Sequence, residues 1–329
     1  MADFAGSAKF LNAEVTRYER QWMKTVYPER WAANGDHLYN VGDLRLGEKR
    51  VIIPRIDYAG KATIHTGKAT DIPLLQLATT ADQYNARVIV MGAKWDAIAD
   101  IAAEEVANLN GLLPERNTVQ MLMDGLSDKI SEKEHELVVF GNQAEGMDGL
   151  FSGQRVDTLD IPAGTNLHEE PALDLFDRIR GLLKEFHKRS LLTAMATKML
   201  CTIDLYDSLC RKFPDSEGTP LERLTRMGRG MYVREIEPVN ELTSDLLEQF
   251  GVHTPGANRD RFMVYEDRIP NEGEVTRPGI MRQFFAMDRT PVRQDSDLGY
   301  SMTAYCATTE VQFREPFRAL YIDYDKFAA

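Results

Sequence analysis

Cysteine is scarce in this 329-residue chain, where Cys201, Cys210 and Cys306 are the only three. Their number is odd and no two stand as CxxC. Neither a disulfide framework nor a cysteine zinc site is encoded, and reduced, mostly buried thiols are expected. Long apolar runs are missing too: Val88–Met91 is typical of the longest, far below the ~18 residues that a membrane-spanning helix needs. The first residues include Asp3, Lys9 and Glu14 and lack the apolar stretch of a signal peptide. A soluble intracellular protein is therefore expected. An excess of positive charge is also absent. Lys and Arg number 39 against 51 Asp and Glu, a net charge of −12. That balance argues against a dedicated DNA-binding protein, whose affinity rests on neutralising phosphates, but not against one that merely encloses nucleic acid.

Catalytic signatures are lacking as well. The stretch ending in Gly67-Lys68 has Ala62 and Ala69 where a phosphate-binding loop needs glycine and a hydroxyl, so it reads as a hairpin turn. His168-Glu169 opens an HExxH-like pattern, yet Ala172 replaces the second histidine and Pro171 interrupts the helix. The six histidines are scattered without ligand spacing. The run Glu132, Glu134, His135, Glu136 reads as a solvated charged face. Neither a GxSxG elbow nor a GxGxxG fingerprint occurs. The weight shifts towards a protein whose task is its surface.

What is present is ordinary in bulk and uneven along the chain. Hydrophobic residues make up 43% and charged residues 27%, enough apolar material for one large or two modest domains. Phe4, Leu11, Val15, Tyr18 and Trp22 recur at helical spacing until Pro28 stops the helix at or before Tyr27. This helix docks through Trp22 on its own core or on an adjacent subunit; the sequence leaves both open. Residues 38–92 read as strands, with Val51–Tyr58, a turn at Ala59-Gly60-Lys61, a return at Thr63–Thr66, and further strands at Ile72–Leu77 and Arg87–Met91. Between residues 41 and 70, Arg45, Lys49, Arg50, Arg55, Lys61 and Lys68 outnumber Asp43, Glu48 and Asp57, a local charge of +3.

A long helix is expected from Trp95 to Ile130, kinked or broken near Pro114. From Asp96 to Asp148 the charge is −9, so most of the net charge sits in this region. Leu137–Gly141 reads as a buried strand. Helices are expected at Ala172–Lys188, Ile203–Phe213 and Pro220–Met227. Strands are expected at Met231–Val239, Arg261–Glu266, Met281–Met287 and Tyr300–Ala307, with Glu310–Arg314 and Arg318–Ile322 flanking Pro316. The class is α+β, with segregated helices and antiparallel strands.

In this order the segments resemble the major capsid protein of tailed bacteriophages, the HK-97-like coat fold shared with encapsulins. The likeness covers nearly the whole chain. The basic hairpin looks like that family's E-loop. Thr70–Leu74 and Arg87–Val90 resemble peripheral-domain strands entering a spine helix at Trp95. Val139-Phe140-Gly141 through Gly146-Met147-Asp148-Gly149-Leu150-Phe151 is similar to its strand and "GLxN" passage, with Ser152 in place of Asn. Lys198-Met199-Leu200 before Tyr206-Asp207-Ser208-Leu209 resembles the axial strand and helix, and Glu310–Leu320 the closing peripheral strands.

The resemblance implies an N-terminal arm over 1–37 and an E-loop hairpin over 38–70. It implies a peripheral domain with a spine helix over 71–136 and 261–329, and an axial domain over 137–260. It implies a structural protein without catalytic residues, metal or cofactor and without membrane contact. Such a chain self-assembles in the host cytoplasm into hexamers and pentamers of an icosahedral head. The virion then encloses double-stranded DNA with no sequence-specific contact. Portal, decoration and separate scaffold proteins are the implied partners; the arm before residue 40 is too short to serve as a scaffold. An encapsulin-like nanocompartment is the alternative within the fold, and a cytosolic metal-dependent enzyme using the acidic cluster is the alternative outside it.

Opposite local charges predict the interface. Lys49, Arg50, Arg55, Lys61 and Lys68 of one subunit are expected over acidic residues of the next, with Glu104 and Glu105 as candidates and Trp22 as the arm's anchor. The competing reading of the basic residues is a set of solvated loop charges. Some family members crosslink a hairpin lysine to an asparagine near the C-terminus. Asn271 is the last asparagine here, so no such mesh is expected.

Overall fold

The computed structural model describes residue 31 and residues 37–59, 76–96, 118–162, 165–214, 217–226, 233–269, 277–296 and 298–326. The expected N-terminal helix with Trp22, residues 63–66 and the helical stretch around Pro114 lie outside these residues; the strand that returns against Val51–Tyr58 is not Thr63–Thr66 but residues 77–84. The described elements begin with β1 (Tyr39–Val41), β2 (Arg50–Ala59), β3 (Gln76–Asp96), α1 (Thr118–Val139), β4 (Gly141–Asn142), β5 (Met147–Asp148) and β6 (Asp157–Asp160). They continue with α2 (Ala172–Arg189), β7 (Lys198–Cys201), α3 (Ile203–Leu209), α4 (Pro220–Arg226), β8 (Glu235–Pro238) and α5 (Ser244–Gln249). The remainder is β9 (Arg259–Tyr265), β10 (Arg268–Ile269), β11 (Arg277–Pro278), β12 (Ile280–Arg289), β13 (Arg293–Gln294), β14 (Gly299–Thr309), β15 (Gln312–Phe313) and β16 (Ala319–Asp325).

The chain divides into two compact units, one of residues 1–30, 90–132 and 287–306, the other of 31–89, 133–286 and 307–329. The larger unit is organised by a five-stranded sheet in the order β6-β16-β9-β7-β8. Its strands alternate with a period of two, and both faces are buried. Phe262 and Val264 of β9, Leu320, Ile322 and Tyr324 of β16, and Met199 and Cys201 of β7 point into one core with α2, α3 and α4. Met263, Tyr265, Ala319, Tyr321 and Leu200 point into the other, with Trp31, Val138, Val139, Phe140, Leu150, Phe151 and Leu247. Helix α2 buries Leu175, Phe176, Ile179, Leu183 and Phe186 along one stripe, as its spacing predicts. Each such side chain contributes about 1.5–3 kcal/mol by leaving water.

Gly141 and the four residues Gly149–Ser152 end α1. Gly141 has a φ of +72°, the left-handed conformation that stops a helix. The carbonyls of Val138, Val139 and Phe140 then have no partner within the helix. Leu150 N–H donates to Val138 at 2.8 Å and Phe151 N–H to Val139 at 2.9 Å. Ser152 Oγ donates to Phe140 at 2.6 Å while accepting Gly149 N–H at 2.9 Å. The Gly149–Ser152 segment is thus a cap for three consecutive helix carbonyls. A Cβ at Gly149 would lie 2.3 Å from the Gly141 nitrogen, so only glycine fits there.

The smaller unit is described through its strand segments and through residues 118–132 of α1. β13 pairs with β14 in antiparallel register, Arg293 opposite Ser301. Trp95 stacks on Tyr300, with ring centroids 6.1 Å apart.

Three further expectations need correction. Leu137–Val139 finish α1 rather than starting a strand, and Phe140 is the turn after it. A short apolar run reads alike in a buried helix and a buried strand, and the helix continued because nothing broke it before Gly141. Trp95 belongs to β3, not to a helix: the strand expected at Arg87–Met91 runs on to Asp96 and includes the end of the one expected at Ile72–Leu77. The sheets are mixed, since β1–β12, β6–β16 and β7–β8 pair in parallel.

Candidate subunit interface

The basic hairpin is a two-stranded ribbon. β2 pairs with β3 antiparallel from Arg50–Asn85 to Ala59–Gln76. Ten residues of extended chain span about 30 Å, and a ribbon of two strands has too little core to be stable alone in water. Ile52, on the ribbon, is 58% exposed. Such an element needs a firm root and a second surface to lie on.

The root is well defined within the larger unit. Glu310 is buried, and its carboxylate accepts Asn85 N–H at 2.7 Å and Asp148 N–H at 3.2 Å. Glu310 N–H in turn donates to the Asn85 carbonyl at 2.9 Å. Burial holds the Glu310 carboxyl above the ordinary range against the pull of these two donors, and burial likewise raises Asp148. Asn85 Nδ2 donates to the Gly146 carbonyl at 2.7 Å. Arg87 reaches the side chain of Glu145 at 3.0 Å and its carbonyl at 2.9 Å. Tyr84 O–H donates to the Phe313 carbonyl at 3.4 Å, and Arg155 lies over the Tyr84 ring.

The predicted interface residues fall in two groups. Lys49 and Arg50 are exposed at the start of β2, where the Lys49 carbonyl accepts Ala86 N–H at 2.9 Å. Arg55 is engaged within its own chain: its guanidinium donates to the Arg314 carbonyl and lies 3.5 Å from Asp82, which Arg155 approaches at 3.1 Å. Both pairs are exposed, so each contributes little, about 0–1 kcal/mol. Lys61, Lys68, Glu104, Glu105 and Trp22 lie outside the described residues. Asp82, Arg155, Glu310 and Asn85, which hold the root, were not legible in the sequence. Asn85 and Glu310 stand 225 positions apart, Glu310 and Asp148 162, and Arg155 and Asp82 73, and no local pattern marks such pairs.

The other polar groups in the interior are structural. Arg261 meets Asp323 through two bonds of 2.6 and 2.9 Å, both residues buried between β9 and β16. Arg282 is 1% exposed and binds Glu134 at 2.8 Å and Asn40 at 2.6 Å. The histidines are engaged too: His37 lies 2.9 Å from Glu237, His135 2.9 Å from Glu241 and His168 3.4 Å from Asp260. Burial pushes the Cys201 thiol well above its ordinary range, which makes it a poor nucleophile. Among the described residues no group of three or more His, Cys, Asp or Glu could hold a metal, and no helix is long and apolar enough to cross a membrane.

Residues 60–324 match the family model described as "Major capsid protein". No curated protein matches the sequence. Among solved structures, a chain from the capsid of Myoviridae phage XM1 aligns with a TM-score of 0.72 at 13% identity, covering 94% of this chain and 97% of that one. A chain from the capsid of an empty GTA particle, computed with C5 symmetry, aligns at 0.57 and 9% identity, covering 99% and 100%. A chain of Mycobacterium phage Che8 aligns at 0.54 and 11% identity, covering 93% and 96%.

Proposed function

This chain belongs to the major capsid protein family, and from that premise we propose that its copies assemble in the host cytoplasm into hexamers and pentamers enclosing double-stranded DNA. It is a structural protein of a phage shell with the HK-97-like fold, and it forms homo-oligomers. The match across residues 60–324 carries the reading. The division into arm (1–37), E-loop (38–70), peripheral domain (71–136 and 261–329) and axial domain (137–260) belongs to the same proposal. So does a head completed by separate portal, scaffold and decoration proteins.

The E-loop contact follows from charge. The hairpin region carries +3 and the segment from Asp96 to Asp148 carries −9. Lys49, Arg50, Lys61 and Lys68, with a smaller share from Arg55, lie over Glu104 and Glu105 of the adjacent subunit, and Trp22 docks the arm. Complementary charge fixes register and speeds association more than it adds affinity. An acidic chain encloses DNA without gripping it, which leaves the genome free to be packed.

Sedimentation and electron microscopy of the expressed chain test the shell. Very large particles with five- and six-fold clusters are expected, and a small oligomer overturns the reading. Particles holding protein instead of DNA when isolated from infected cells would mark a nanocompartment. For the contact, particle yield should fall several-fold as salt rises to ~0.5 M, where charges are screened beyond a few ångströms. Lys61→Glu or Lys68→Glu should lower it similarly. Unchanged assembly in both experiments would remove the charge argument.

A further inference from the structure

Helix α2 and Ser190 are followed by two consecutive leucines with left-handed backbones. Leu191 has a φ of +51° and Leu192 of +63°, a conformation that L-residues with a branched side chain rarely adopt. The same residues are 84% and 67% exposed. Strain and exposure of large apolar groups therefore coincide at one turn, and strained backbone persists only where its surroundings enforce it.

The surroundings here do enforce it. Leu191 N–H donates to the Lys188 carbonyl at 3.0 Å, Leu192 N–H to His187 at 2.9 Å and Thr193 N–H to Ser190 at 3.0 Å. Buried Ser190 donates through Oγ to the His187 carbonyl at 3.0 Å and accepts Ala194 N–H at 3.2 Å. His187 Nδ1 lies 2.8 Å from the Ala194 carbonyl, and Arg318 donates to the Thr193 carbonyl at 3.1 Å. Every one of these bonds fixes the backbone of the turn. They hold the two side chains outward instead of covering them.

We propose that Leu191 and Leu192 form an apolar plug that seats on a second copy of this chain, on the surface around Ile203. The inference rests on the shell reading above, in which copies of one chain present the same surfaces to one another. Charge selects the receiving surface. The plug is flanked by exposed Lys188 and Arg189 at the end of α2. Ile203 of α3 is 55% exposed, beside exposed Asp204 and one helical turn from exposed Asp207. Arg189 already reaches Glu185 at 3.4 Å, and Arg211 approaches Asp207 at 4.0 Å. Both are surface pairs weak enough to exchange. Plug and receiving surface are different patches, so the contact is head-to-tail. Repeated contacts of that kind close rings, as pentamers and hexamers require.

The test replaces both leucines by asparagine, which tolerates the left-handed conformation. The unassembled Leu191→Asn, Leu192→Asn chain should melt at or above the wild-type temperature. Its particle yield, measured by sedimentation and electron microscopy, should fall several-fold, with smaller oligomers accumulating. Ile203→Ser, with the plug intact, should lower the yield in the same direction. Wild-type yield from the asparagine variant overturns the plug, and so does a lowered melting temperature, which would mean that the leucines serve their own chain. Wild-type yield from Ile203→Ser overturns the choice of receiving surface. If the unaltered chain never assembles, both this inference and the shell reading fall; if it assembles and the variants assemble equally, only this one does.

Discussion

Glu310 shows how one side chain can hold an extended element. Its two oxygens accept one N–H from the hairpin strand and one from the turn after α1, so the ribbon's root and the helix terminus share an anchor. Burial raises its carboxyl, so the folded state holds this proton more tightly than the unfolded state does. Stability from this group is therefore lost as pH rises from the ordinary carboxylate range through the raised value, and regained on acidification. Glu310→Gln should remove that slope from urea unfolding curves measured between mild acid and neutrality. At neutral pH it should also cost about 1–3 kcal/mol, because the amide nitrogen leaves one buried N–H without an acceptor. A variant that keeps both the wild-type slope and the wild-type stability would show that the anchor is not needed.

Among the elements, the end of α1 is the most constrained. Gly149 sits where a Cβ would meet the backbone of Phe140 and Gly141, and no side-chain movement relieves that clash. Gly149→Ala should cost ~3 kcal/mol or more, or prevent folding, since overpacking against backbone has no soft direction. Gly181, within α2, has open space around its Cβ position. Gly181→Ala should raise stability by about 0.5–1 kcal/mol through the entropy of the unfolded chain. Urea unfolding of the two variants side by side separates a glycine required by space from one that is tolerated. Equal effects would contradict the geometry.

For the whole molecule, the absence of asparagine after Asn271 has a direct consequence. Particles boiled in denaturant should release a single band at the chain mass of 37.3 kDa. A ladder of higher bands would reveal covalent links that the sequence does not predict. In the proposed shell, cohesion rests on noncovalent contacts: the ribbon on its neighbour, the charge pairs and the leucine plug, all of them part of that proposal. Each is modest alone, and their number in a shell supplies the strength.

The order of segments, the helices α2, α3 and α4 and the strands β9 and β16 were determined by the sequence itself, whereas α5 was not. Periodicity reports which face is buried, and here burial decided the structure. The family likeness was legible for the same reason, because it rested on the order of many weak patterns. Other features needed the tertiary structure. A short apolar run reads alike in helix and strand: Leu137–Val139 continue a helix because nothing breaks it before Gly141, and Trp95 ends a strand that the residues before it already form. The service of Glu310 to Asn85, of Ser152 to Phe140 and of Asp82 to Arg155 has no local signature, since these hydrogen bonds join residues that sequence spacing does not relate. No sequence pattern singled out the leucines at 191 and 192; only the backbone angles and the surface reveal that they face outward.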